Sequence, residues 1–172
     1  MTAGRSPHRV AIALGSNLGD RAGHLAWAVE ALRTRVSGLR VSAFEETAPV
    51  GVPDRQPDYL NAVAVGATRL DPRALLDWLL ALEAARGRVR TGPASTRTLD
   101  LDLILFGDDV IDEPGLVVPH PRFRERPFVL GPLAGLAPRW RDPVSGLTMA
   151  RLWRANRLPG RGKAADPRAR RR

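Results

Sequence analysis

Asp100 and Asp102 stand one residue apart in the most apolar run of the chain, Leu99-Asp100-Leu101-Asp102-Leu103-Ile104-Leu105-Phe106. Side chains alternate across a β-strand, so this spacing points both carboxylates to one face, with Cα atoms roughly 6.5 Å apart. Two like charges buried there without a partner would be very costly. Either the strand end is solvated or cations neutralise the pair. Hard divalent cations such as Mg²⁺ use one or two carboxylates and take their remaining ligands from substrate phosphates and water. Salt bridges to the arginines just upstream are the competing reading, and the residues alone leave both open.

Those arginines are Arg86, Arg88, Arg90 and Arg97. Guanidinium forks match phosphate oxygens, and facing a carboxylate pair they describe a polyphosphate site, where catalysis is mainly positioning and charge stabilisation. His120, in Val118-Pro119-His120-Pro121, lies in a stiff loop from which it could donate to a phosphate or a nucleotide. Arg122, Arg124 and Arg126 follow it, then Phe128. Tyr59 and Phe128 could present flat faces to a heteroaromatic ligand. Asn61, two residues from Tyr59 and so on its strand face, offers both a donor and an acceptor. The Gly15–Gly19 turn is not a phosphate loop of the Walker A kind, because it lacks the Gly-Lys-Ser/Thr ending.

These side chains need elements to hold them. Residues 9–14 read as a buried strand, and Asp20 opens a helix whose apolar face is Leu25, Val29, Leu32 and Val36. Ser37-Gly38 should stop that helix, with an alternating strand over 39–46 and a loop with three prolines over 47–58, long enough to suggest a binding loop. A strand is expected at 59–67. Asp71-Pro72 then caps a helix that buries Leu75, Leu79 and Leu82 and ends at Gly87. With the strand at 99–106 the order is β-α-β-β-α-β, a ferredoxin-like α+β core with an antiparallel sheet. Short helices are expected near 127–136 and 148–155, with a turn at Asp142-Pro143 between them.

The 172 residues and 44% hydrophobic content suit one domain, placed at 1–156. The absence of cysteine excludes disulfides, thiolate nucleophiles and Cys-ligated metals. No apolar run approaches the roughly 18–20 residues that span a bilayer, and the N-terminus carries no apolar stretch of the signal-peptide kind. A monomeric cytoplasmic protein without a membrane partner is expected. The net charge of +9 is uneven: residues 154–172 hold eight basic groups and one acid, so 157–172 is read as a disordered basic tail. Such a tail could attract nucleic acid non-specifically, but no specific nucleic-acid partner is expected. A metal-dependent glycosyltransferase also uses an Asp-x-Asp pair, yet this chain has no βαβ glycine fingerprint.

Taken in order, Ala13-Leu14-Gly15-Ser16-Asn17-Leu18-Gly19, Thr47-Ala48-Pro49-Val50-Gly51 and Gln56-Pro57-Asp58-Tyr59-Leu60-Asn61-Ala62 form one set of motifs. Glu83, Gly87-Arg88-Val89-Arg90, Arg97-Thr98-Leu99-Asp100-Leu101-Asp102, Val118-Pro119-His120 and Arg126-Pro127-Phe128 complete it. Over about residues 9–155 the chain resembles the 6-hydroxymethyl-7,8-dihydropterin pyrophosphokinases of folate biosynthesis. The resemblance implies a ferredoxin-like fold and transfer of the terminal diphosphate of ATP to the pterin hydroxymethyl group, releasing AMP. It implies that Asp100 and Asp102 hold two Mg²⁺ ions, that Arg88, Arg97 and Arg126 meet the phosphates, and that Glu83, Arg90 and His120 lie in or near the ATP site. Asp100, Asp102, Arg88 and Arg97 would be catalytic. Tyr59 and Phe128 would sandwich the pterin, with Asn61 and the backbone around Thr47 and Val50 reading its polar edge. The chain departs from the family's usual pattern in Gly92-Pro93-Ala94-Ser95-Thr96, which has no aromatic, and at Gly115 and Leu80.

Overall fold

The computed structural model describes residues 6–49, 56–88 and 97–158. Strand β1 (His8–Ser16) is followed by helix α1 (Arg21–Arg33), which Asp20 caps by accepting the amide of Gly23 at 3.0 Å. Next come β2 (Val36–Val41), β3 (Glu45–Thr47) and β4 (Tyr59–Thr68). Helix α2 (Pro72–Ala85) starts as its sequence dictates: Asp71 accepts the Ala74 amide at 2.8 Å and proline fills the first helical position. It ends where Gly87 takes φ +76°, a backbone conformation that costs glycine little. The carboxylate-bearing strand is β5 (Asp100–Phe106).

The main sheet runs β2-β4-β1-β5, with β3 pairing only to β4, and every pairing is antiparallel. The central strand β1 therefore touches both β4, which carries Tyr59 and Asn61, and β5, which carries Asp100 and Asp102. Alternation gives the sheet two apolar faces. Val10, Ile12 and Leu14 pack under α1 and α2 with Leu25, Leu32, Leu75 and Leu79. Ala11, Val63, Val65 and Ile104 pack on the other face against Phe123, Leu130 and Leu133. Each fully buried leucine contributes about 1.5–3 kcal/mol of transfer free energy.

Past β5 the chain makes a small hairpin, β6 (Ile111–Glu113) with β7 (Leu116–Val118). A single 3₁₀ turn (Phe123–Glu125) then leads to α3 (Pro127–Leu136) and finally α4 (Met149–Arg157). Among the described residues no helix is long and apolar enough to cross a membrane.

The ferredoxin-like expectation holds, with three local differences. Val36 is not on the α1 face; the helix stops at Arg33 and Val36 opens β2 opposite Thr68, so its helical spacing is coincidental. The alternating run 39–46 divides into β2 and β3, because β2 begins early and a register shift falls between Ser37 and Arg40, where Gly38 has φ +61°. On α2 the most deeply buried residue of the last turn is Glu83, while Leu82 is only partly covered. The hairpin β6–β7 has strands of three residues, too short to show a period. The basic tail after residue 158 lies outside the described residues.

Candidate active site

Register places the site. On one face of the sheet Asn61 pairs with Gly15 and Gly15 pairs with Asp100, so three neighbouring strands present a row of Asn61, a gap and a carboxylate. Adjacent strands lie about 4.8 Å apart, which leaves close to 10 Å between the two polar residues, with only the Gly15 backbone as floor. A Cβ at Gly15 would stand 3.3 Å from Asn61 Oδ1 and fill that gap. Ala13 is the next residue on this face and pairs with Asp102. Thr47, opposite Tyr59 on β3, accepts a hydrogen bond of 2.6 Å from Asn61 Nδ2 and fixes the orientation of the carboxamide.

The carboxylates are surrounded by cations. Asp100 receives Arg88 Nη1 on Oδ1 at 2.7 Å and Arg97 Nη1 on Oδ2 at 2.6 Å. Arg88 also pairs with Glu83, whose Oε1 accepts the backbone amide of Leu101 at 2.7 Å. Glu83 thus ties α2 to β5 between the two aspartates while it holds Arg88. The salt bridges anticipated as the competing reading of Asp100 are present. Asp102 has looser company, with Arg126 Nη1 at 3.5 Å and His120 Nε2 at 3.9 Å from its Oδ2. Burial, and then the charge of Asp100, push the Asp102 carboxyl up to about 6, against the pull of Arg126. Burial works against the Arg97 cation, yet Asp100 holds its pKa above the ordinary value. His120 is driven down to about 4 by burial and then by Arg126, so it is neutral at pH 7. Its Nδ1 accepts the Arg122 amide at 3.1 Å, which leaves the proton on Nε2, facing Asp102.

Two cavities flank this centre. One, of about 790 Å³, is walled by Leu76, Leu80 and Ala84 of α2 and by Gly115–Val117 of the hairpin, and reaches Glu83, Arg88 and His120. The other, of about 610 Å³, holds Gly15, Thr47, Tyr59, Asn61, Arg126 and Phe128. Arg97, Asp100 and Asp102 line both. Among the described residues no cluster of three or more His, Asp or Glu side chains is placed to hold a metal ion. The donor set that exists, two carboxylates open to both cavities, suits Mg²⁺, whose other ligands come from phosphate oxygens and water.

Most of the residues singled out from sequence are therefore brought together; Val50 and Arg90 lie outside the described residues. Two arginines grouped with them are not in the site. Arg86 donates to His24 Nδ1 at 3.0 Å and lies over Trp27, and Arg124 points away to Asp142. The sequence reading also passed over Asn17 and the part Gly15 plays as floor. Asn17 is almost fully buried and clips Arg97 twice, its Oδ1 accepting the Arg97 amide at 2.7 Å and its own amide donating to Arg97 O at 3.0 Å. Its signal was an asparagine in a glycine-bounded turn, read only as a tight turn.

A family model described as 7,8-dihydro-6-hydroxymethylpterin-pyrophosphokinase matches residues 11–138, from β1 to just past α3. The chain belongs to this family. It is a pyrophosphokinase of folate biosynthesis. Relatives within the family include the 2-amino-4-hydroxy-6-hydroxymethyldihydropteridine pyrophosphokinase of Synechocystis sp., 41% identical over 148 residues, which cover 84% of this chain and 74% of that one. The protein of the same description from Pseudomonas aeruginosa is 45% identical over 139 residues, covering 78% of this chain and 84% of that one. The fold resembles the crystal structure of wild-type Plasmodium falciparum HPPK-DHPS, with a TM-score of 0.69 at 14% identity. That match covers 87% of this chain and 45% of the other, so the chain spans less than half of that polypeptide.

Proposed function

We propose that this chain moves the terminal diphosphate of ATP onto the hydroxymethyl oxygen of 6-hydroxymethyl-7,8-dihydropterin, each cavity taking one substrate. The observation that carries this reading is that Arg97, Asp100 and Asp102 line both cavities, so two molecules would meet at the carboxylate pair. The larger cavity, with apolar walls leading to arginines, suits a nucleoside triphosphate. The smaller one, with Tyr59 and Phe128 and the Thr47-anchored Asn61, suits a flat heterocycle with a polar edge.

In the reaction the hydroxymethyl oxygen attacks the β-phosphorus of ATP. The new O–P bond forms as the bond from that phosphorus to the α-phosphate bridging oxygen breaks. AMP leaves and the hydroxyl proton passes to solvent. The chain's part is to hold both molecules in line and to meet charge as it shifts. Asp100 and Asp102 are the residues that would hold Mg²⁺, which neutralises triphosphate charge and polarises the transferred group. Arg88 and Arg97, which pair with Asp100, are close enough to the carboxylate centre to meet phosphate oxygens, and Arg126 approaches from the pterin side. His120, neutral and protonated on Nε2, can donate to a phosphate oxygen without a change of protonation near pH 7. By resemblance, Glu83 and Arg90 belong to the ATP side and the backbone at Val50 to the pterin side.

The division of labour is tested by filling each cavity separately. Gly15→Ala should raise the KM for the pterin about tenfold through crowding in a packed site, with the KM for ATP little changed. Leu80→Trp should do the reverse. Steady-state kinetics with each substrate varied would reject the assignment if both variants raised the same KM.

A further inference from the structure

The carboxylate of Asp142 is fully buried and lies outside both cavities. It accepts a fork from Arg124, Nε at 2.8 Å and Nη2 at 2.6 Å, together with the Ser145 hydroxyl at 2.6 Å and the amides of Val144 and Ser145 at 3.2 Å. Arg124 occupies the middle of the 3₁₀ turn, between His120 and Arg126. The same turn is gripped a second time, where Asn156 Nδ2 on α4 donates to Arg124 O at 2.7 Å. Beneath it Phe123 is fully buried, and the Arg124 guanidinium stacks over its ring at 4.6 Å. The Arg126 carbonyl accepts the first amides of α3, from Val129 and Leu130, so Arg126 is the joint between turn and helix.

We infer that Asp142 is a positioning residue for diphosphate transfer, acting through Arg124 to set where the Arg126 guanidinium stands relative to Asp102. A buried ion pair adds little stability over a well-packed apolar pair of similar size, but it admits few geometries. Here the geometry it fixes is that of a turn whose next residue faces the carboxylate centre at 3.5 Å. Asp142 also lies beyond residues 11–138, so the segment past the family match takes part in shaping the site. Charge alone would not need this arrangement, since Arg124 is turned away from the phosphate-facing arginines.

The proposal rests on the pyrophosphokinase reading, and a double-mutant cycle separates the two. Wild-type formation of AMP is measured first; its absence would count against the reaction itself. Asp142→Asn is then made in the wild-type and Arg126→Ala backgrounds. It should lower kcat about tenfold in the first and less than about twofold in the second, as expected for groups that act through one another. The KM for the pterin should change far less than kcat. Arg124→Lys keeps the charge and loses the fork, and it is carried through the same cycle so that the outcome does not depend on the buried carboxamide variant folding. Equal losses in both backgrounds, or a lower Tm with unchanged kcat, would overturn the proposal.

Discussion

Asp102→Asn is expected to reduce AMP formation by roughly 10²–10³, the scale for losing one preorganised electrostatic group, while leaving the substrate-free protein at least as stable as the wild type. The two effects have one origin. Burial and the charge of Asp100 raise the Asp102 carboxyl from 3.8 to about 6, so the folded protein binds this proton more tightly than the unfolded chain does. Stability from this group therefore falls as pH rises from 3.8 to about 6 and stays lost above that. Asparagine removes the unfavourable ionisation. Thermal unfolding at pH 8 should show a Tm equal to or above that of the wild type, with the difference shrinking towards pH 5. A variant that kept activity within tenfold, or was less stable at pH 8, would contradict the part given to Asp102. The part proposed for Asp102 in holding Mg²⁺ needs the ionised carboxylate, so the wild type would carry this cost as a trade of stability for function.

Arg88→Ala should fail in the opposite way. Arg88 is buried between Glu83 and Asp100, and Glu83 is buried as well. Removing the cation breaks its ion pairs with Glu83 and Asp100 at once, and breaking a buried pair costs about 3–5 kcal/mol, a large share of a typical domain's stability. Urea denaturation should show a lower midpoint at an unchanged slope, the mark of lost stability without a change in the surface exposed. Adding Glu83→Gln should recover much of that loss, because glutamine can still accept the Leu101 amide. It should not restore turnover, since the cation beside Asp100 is still missing. If the double variant recovered activity as well, Arg88 would be a structural residue only.

Local signals accounted for much of the frame. Asp71-Pro72 is a helix start wherever it occurs, and the apolar strand β5 announced itself by composition. The Asp-x-Asp spacing was enough to place both carboxylates on one face. Contacts made across the fold were not visible in the same way. Nothing local distinguishes Arg86, which turns to His24 on α1, from Arg88, which turns to Asp100 on β5; the difference lies in the partner that the fold brings to each. In a chain where 26 of 27 basic residues are arginine, residue type could not separate them. The fork from Arg124 to Asp142 joins residues 18 apart across the whole of α3, from one short turn to another, neither of which carries a periodic pattern. Glu83 was named only through family likeness, because an acidic residue on a helix is ordinarily solvated; its burial follows from the amide of Leu101 needing an acceptor.

The most direct measurement is product analysis with purified protein, ATP, Mg²⁺ and 6-hydroxymethyl-7,8-dihydropterin, reading nucleotide and pterin products together. AMP and a pterin diphosphate should form in equal amounts, and both should fall by roughly 10²–10³ in Asp102→Asn. Formation of ADP with a pterin monophosphate would contradict it.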